Sequence, residues 1–191
     1  WNGEKYLVKP ETSYGYADKV WGKNAGPRWE YISCCDLTSK KNGKLKNSAF
    51  SFGIGTQINV GPINTKEALA GGIYLDGVTY EYNFSKMRML TRSRTAEKRN
   101  GKKCVFAIAE ETPLSRMKLK VTCDRNQMRE LRMETTAGDL RRMLVGGDGQ
   151  AELIIERKKV SLKNKWEWET IDVLKGGHVF VSFMDNKSYK E

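Results

Sequence analysis

The feature that most constrains this 191-residue chain is a hydrophobic period of two, recurring along most of its length and broken by short turn dipeptides. Val78, Tyr80, Tyr82 and Phe84 alternate with Thr79, Glu81 and Asn83. Met117, Leu119, Val121 and Cys123 alternate with Arg116, Lys118, Lys120 and Thr122. Successive residues of an extended chain point to opposite faces, so both segments read as strands with one buried and one wet face. Val179, Val181 and Phe183 alternate with Phe180, Ser182 and Met184, which predicts a strand covered on both sides. Asp76-Gly77 and Asn100-Gly101 fall between such runs, and both dipeptides favour the positive φ angles of type I′ hairpins. Asn42-Gly43 and Gly146-Gly147-Asp148-Gly149 punctuate two further joins.

The pattern predicts strands over 4–9, 28–35, 47–55, 71–75, 78–84, 86–95, 103–110, 115–123, 128–135, 151–158, 166–174 and 178–184. The one helical signal is residues 65–71, with Thr65 as cap and Gly71 as stop. Many short strands with tight turns and almost no helix imply a sandwich or a closed barrel. A barrel of about eight to ten strands leaves room for one small ligand. At this length about 70% of the unfolded surface leaves water, enough for one core, so residues 1–191 read as a single domain. No run of about 18 apolar residues exists, so no transmembrane helix is expected. The chain opens on Trp1 without Met, which predicts a piece of a longer protein.

The formal charge is +11, and it is concentrated. Between Lys86 and Arg132 there are fourteen Lys and Arg against five Asp and Glu. Lys86, Arg88, Arg92 and Arg94 share one strand face, as do Arg116, Lys118 and Lys120, which predicts an outer wall on adjacent strands. No nucleic-acid motif accompanies the charge, so it reads first as a solvated face and no nucleic-acid partner is expected. Cys34, Cys35, Cys104 and Cys123 lack Cys-x-x-Cys spacing, and His178 is the single histidine, so no metal site is predicted. Adjacent Cys34 and Cys35 would face opposite ways on a strand. A bridge from either to Cys104 or Cys123 is one reading, and free buried thiols are the other. Gly53-Ile54-Gly55 and Gly146–Gly149 are not phosphate loops, since no Gly-Lys-Ser/Thr is present. His178, after Gly176-Gly177, reads as a surface turn residue at a strand start.

Residues 14–31 break the alternation. Tyr14-Gly15-Tyr16-Ala17-Asp18-Lys19-Val20-Trp21-Gly22 is followed by Pro27-Arg28-Trp29-Glu30-Tyr31. Aromatics around a carboxylate can form a pocket wall that raises the acid's pKa, or face a carbocation with their rings. They can equally plug a barrel end while Asp18 pairs with Lys19 or Arg28.

The segment Tyr16–Gly22, followed by Trp29-Glu30-Tyr31-Ile32-Ser33-Cys34-Cys35, resembles the tocopherol cyclase family and the related carotenoid 1,2-hydratases and attH-like lipocalin-like proteins. The family shows an aromatic, a small residue, an acid and Lys-Asn-Trp-Gly, then Trp-x-Trp-x-Gln-Cys-Asn. Glu67–Tyr82 resembles its apolar strand, Asp-Gly turn and Tyr-Glu-aromatic strand. Here Val20 stands in place of Asn, Tyr31 in place of Trp, and Ser33 and Cys35 in place of Gln and Asn.

The resemblance implies a lipocalin-like antiparallel β-barrel, the C-terminal barrel of a tandem pair, with a preceding N-terminal barrel as partner. It implies binding of a hydrophobic, isoprenoid small molecule, and cofactor-independent, acid-catalysed cyclisation or hydration of a double bond. Asp18 takes the place of the catalytic acid, and Tyr16, Trp21, Trp29, Tyr31 and Cys34 line the ligand site. The rival readings are a non-enzymatic carrier of hydrophobic ligands and a basic polyanion-binding module.

Overall fold

The computed structural model describes residues 2–9, 13, 29–56, 59–60, 63–64, 67–83, 92–100, 102–134, 140–160 and 165–185. Within them the chain is all-β. The strands are β1 (Trp29–Cys34), β2 (Asp36–Ser39), β3 (Gly43–Lys44), β4 (Ala49–Thr56), β5 (Asn59–Val60), β6 (Ile63–Asn64) and β7 (Glu67–Leu75). There follow β8 (Val78–Asn83), β9 (Arg92–Asn100), β10 (Lys103–Glu111), β11 (Ser115–Asp124), β12 (Met128–Glu134), β13 (Leu140–Val160) and β14 (Trp166–Asp185).

One antiparallel sheet runs β8-β7-β4-β1-β14-β13-β11-β10-β9, with β12 on β13 and β2 and β3 attached beside β14; β5 and β6 pair separately. It curls as a half-barrel of lipocalin-like kind. The alternation places Ile32 and Cys34, Phe50, Phe52 and Ile54, and Cys104, Phe106 and Ile108 on the concave side. Met117, Leu119 and Val121 join them there, with Leu153, Ile155, Val181 and Phe183. Phe106 meets Phe183 with ring centroids 5.5 Å apart, and Phe52 meets Tyr82 at 6.4 Å. Tyr82 on β8 also faces Ser115 and Glu110 of β11 and β10, so the two ends of the sheet approach each other across the core.

Two long strands do the bending. β14 pairs through Glu30–Ser33 with residues 180–183 and through β2 with residues 174–177. β13 pairs with β12 at one end and β11 at the other. Register shifts at Gly146/Gly149, Gly149/Ala151 and Ile155/Glu156 mark bulges, which increase twist locally.

Several expectations are corrected here. Residues 67–71 are not helical. They open β7, paired with β4 from Ala49↔Tyr74 to Thr56↔Glu67. Gly71 is there because of a close approach: a Cβ would lie 2.2 Å from the Ser51 carbonyl oxygen. Residues 4–9 form no strand, and Tyr6, Leu7 and Val8 are exposed. A strand exists through its ladder, and none reaches this segment among the described residues. The expected strands 166–174 and 178–184 are one bent strand, so His178 lies inside β14 with φ of 52° rather than at its start. It is exposed, with Nδ1 2.7 Å from Asp148. The strand expected at 86–95 begins at Arg92, residues 84–91 being outside the described set. β9 and β11 are not adjacent, because β10 lies between them. The Asp76-Gly77 turn is as expected, with φ of 45° and 86°.

Candidate functional site

The concave lining is apolar except at a few positions. Period-two alternation carries an acid inward wherever it falls in phase with the core. Glu30 precedes Ile32 and Cys34 in phase and is 1% exposed. Glu110 follows Cys104, Phe106 and Ile108 in phase and is 2% exposed. Asp172 is buried too, but Ser39 Oγ donates to it at 2.5 Å and the Val173 amide at 2.7 Å.

Tyr82 and Glu110 form the most distinctive grouping. Tyr82 is fully buried, and its hydroxyl reaches no partner at normal hydrogen-bond geometry. Burial pushes the phenol up to about 12; Ser115 opposes this, while Tyr80 and the Glu110 carboxyl reinforce it. The phenol therefore keeps its proton at neutral pH and can donate. Ser115 is held by the β10–β11 turn, where the Thr112 hydroxyl accepts from the Ser115 amide at 3.0 Å. A donor and a carboxyl are thus both buried within the apolar core.

The expected site residues divide into three sets. Tyr16, Asp18 and Trp21 lie outside the described residues. Cys34 is in the core, its thiol donating to the Gly177 carbonyl at 3.2 Å, and burial pushes it up to about 12. Trp29 and Tyr31 leave β1 on the side opposite Ile32 and Cys34. There they stack with centroids 6.3 Å apart, and Tyr31 meets Phe180 edge-on at 6.1 Å. Ser51 Oγ donates to the Tyr31 hydroxyl at 3.1 Å. Trp29 and Tyr31 therefore form an aromatic shelf on the convex face. Tyr82 and Glu110 escaped the sequence reading; the signal was an acid in phase with three buried residues.

All four cysteines are free, and Cys104 stands directly opposite Cys123 across β10 and β11. Among the described residues no group of three or more His, Cys, Asp or Glu is placed to hold a metal. No helix among them is long and apolar enough to cross a membrane. Lys118 and Lys120 point outward from β11, while Arg116 is joined to Glu156 by bonds of 2.5 and 2.9 Å. A convex groove of about 330 Å³ is lined by Lys120, Thr122, Gln150, Glu152 and Lys175, in which one carboxylate sits between two ammonium groups. What fold and site define is a curled antiparallel β-sheet with an apolar concave face and a small inward-facing polar group. Comparison with protein-family models, curated proteins and solved structures finds no match to the chain.

Proposed function

We propose that this protein binds a hydrophobic small molecule of isoprenoid type against the concave face of the sheet, with the ligand's polar end beside Tyr82 and Glu110. One observation carries the reading: a phenol and a carboxyl are both buried where nearly every neighbour is apolar. An interior that merely filled space would gain stability with hydrocarbon in place of the Tyr82 hydroxyl, since a buried polar group costs free energy unless paired. A hydroxyl-bearing ligand supplies the Tyr82 hydroxyl with that partner. The resemblance of residues 16–35 adds chemistry, with Asp18 protonating a double bond of the bound ligand, after which water or the ligand's own hydroxyl adds to the cation and gives up a proton, without a cofactor.

Geranylgeraniol and the matching hydrocarbon lacking the hydroxyl test the binding by titration calorimetry. The alcohol binds, insensitive to salt, and the hydrocarbon binds about tenfold or more weaker, the usual cost of leaving a buried polar group unmatched. Equal affinity for both removes Tyr82 and Glu110 from the site. Asp18→Asn abolishes turnover, read as a mass gain of water or a ring closure, while binding and melting temperature stay unchanged. Unaltered ligand after long incubation with the native protein leaves the carrier reading. Unfolding of the variant makes Asp18 a structural ion-pair member.

A further inference from the structure

Three large apolar side chains project from one end of the sheet, where the β10–β11 turn meets the ends of β13 and β14. Leu114 is 70% exposed, Val160 52% and Trp166 64%. They are held together by the backbone: the Lys158 amide donates to the Leu114 carbonyl at 2.8 Å, and Val160 pairs directly with Trp166. Exposed apolar residues gathered at one end, rather than scattered, mark an interaction surface.

The charges around this tip are arranged by sign. The Lys158 ammonium lies 5.8 Å from the Trp166 ring and 5.5 Å from Trp168, and the Arg116 guanidinium lies 4.5 Å from Trp168. Glu156 is bound by Arg116, and Glu169 by Arg157 at 2.7 Å and Lys159 at 3.0 Å. Exposed Glu167 pairs in register with Lys159 on β13, and the sequence from 157 to 165 contains five Lys and Arg and no acid. Cations border the apolar tip, where Lys158 lies over the Trp166 and Trp168 rings and Arg116 over Trp168.

We propose that this tip docks on a lipid bilayer bearing anionic headgroups. Leu114 and Val160 enter the acyl boundary, Trp166 lies at headgroup level where indoles concentrate, and Lys158 and Lys165 meet the phosphates. The Tyr82–Glu110–Ser115 group lies beneath the same turn, since Ser115 begins β11 and Glu110 nearly ends β10. Docking goes beyond the ligand reading and does not depend on it.

Vesicle flotation with phosphatidylcholine alone, and with phosphatidylcholine mixed with phosphatidylglycerol, tests the docking. The protein floats with the mixed vesicles and its Trp emission shifts to the blue. Trp166→Ser combined with Leu114→Ser lowers partitioning about tenfold or more, and Lys158→Glu with Lys165→Glu lowers it at low salt while high salt lessens the difference. Both pairs replace surface side chains, and circular dichroism verifies that each variant keeps its strand signal. Partitioning unchanged by Trp166→Ser/Leu114→Ser overturns the proposal, as does retention on heparin or single-stranded nucleic acid with no flotation.

Discussion

Adding a methyl group to Gly71 should be far more damaging than adding one to Gly53, although both lie in the same antiparallel pair of strands. A Cβ at Gly71 would stand 2.2 Å from the Ser51 carbonyl oxygen, 2.6 Å from Phe52 Cδ1 and 2.8 Å from Phe52 Cα. Two of those atoms are backbone, so β4 and β7 must part where Gly71 pairs with Phe52. Overpacking costs about 1–3 kcal/mol, and contacts this close belong at the upper end. For a chain of this size about 3 kcal/mol lowers the melting temperature by about 6–12 °C. At Gly53 the nearest atom to a new Cβ is the Ala70 carbonyl oxygen at 3.8 Å, an ordinary contact. Gly53→Ala instead restricts the unfolded chain and should be neutral or stabilising by about 0.5 kcal/mol. Urea denaturation followed by circular dichroism measures both, with an unchanged m-value as the check that only stability moved. Were Gly71 the stop of a helix over 65–71, the methyl group would cost only about 1 kcal/mol. A loss of that size or less at Gly71, or an equal loss at Gly53, refutes the pairing of β4 with β7 and the close approach inferred from it.

Three further outcomes are expected. Tyr82→Phe removes a buried hydroxyl that lacks a normal hydrogen bond, so it should raise stability by about 1 kcal/mol while lowering affinity for geranylgeraniol about tenfold; a destabilised variant with intact affinity makes the hydroxyl structural. The Arg116 guanidinium bonded to Glu156 holds that carboxyl below its ordinary value of 4.5, so the pair contributes above that pH and its contribution fades as pH falls through the depressed value. Glu156→Gln should therefore be less stable than the native protein at neutral pH and converge with it in acid, and parallel urea-midpoint profiles across pH would contradict this. Burial pushes the Cys34 and Cys123 thiols up to about 12, and Cys104 is fully buried, so a chromogenic disulfide reagent at neutral pH should modify half-buried Cys35 first and the other three only on unfolding; rapid release of two or more equivalents counts against the core placement.

Much of the sheet could be read from local pattern because a half-buried strand writes its pairing into every second residue. Met117-Leu119-Val121-Cys123 and the Asp76-Gly77 turn are clear examples. What local pattern could not show was partnership. Glu67-Ala68-Leu69-Ala70 has helix-forming residues, yet the segment pairs antiparallel with β4, and that ladder outweighs a propensity of a few tenths of a kcal/mol per residue. Gly176-Gly177 and Gly146–Gly149 read as strand ends, whereas both lie inside continuous strands, where register shifts at Gly146/Gly149 and Gly149/Ala151 mark bulges between β13 and β14. The candidate site was less legible. Trp29 and Tyr31 were conspicuous by composition, but phase puts them opposite Ile32 and Cys34, on the convex side. Glu110 looked like one more charge at a strand end, and only the curl of the sheet brings it to Tyr82, 28 residues earlier on β8.

The central claim is that an apolar ligand lies on the concave face with its polar end at Tyr82 and Glu110. Methyl-resolved NMR during a titration with geranylgeraniol tests it most directly. Ile108 and Met117 flank Glu110 on the concave side, whereas Val78, Leu131 and Val160 are exposed. Saturable shifts at the Ile108 and Met117 methyl groups, with Val78, Leu131 and Val160 unmoved, are the predicted result. Shifts confined to the exposed methyl groups, or none at all, would contradict the account.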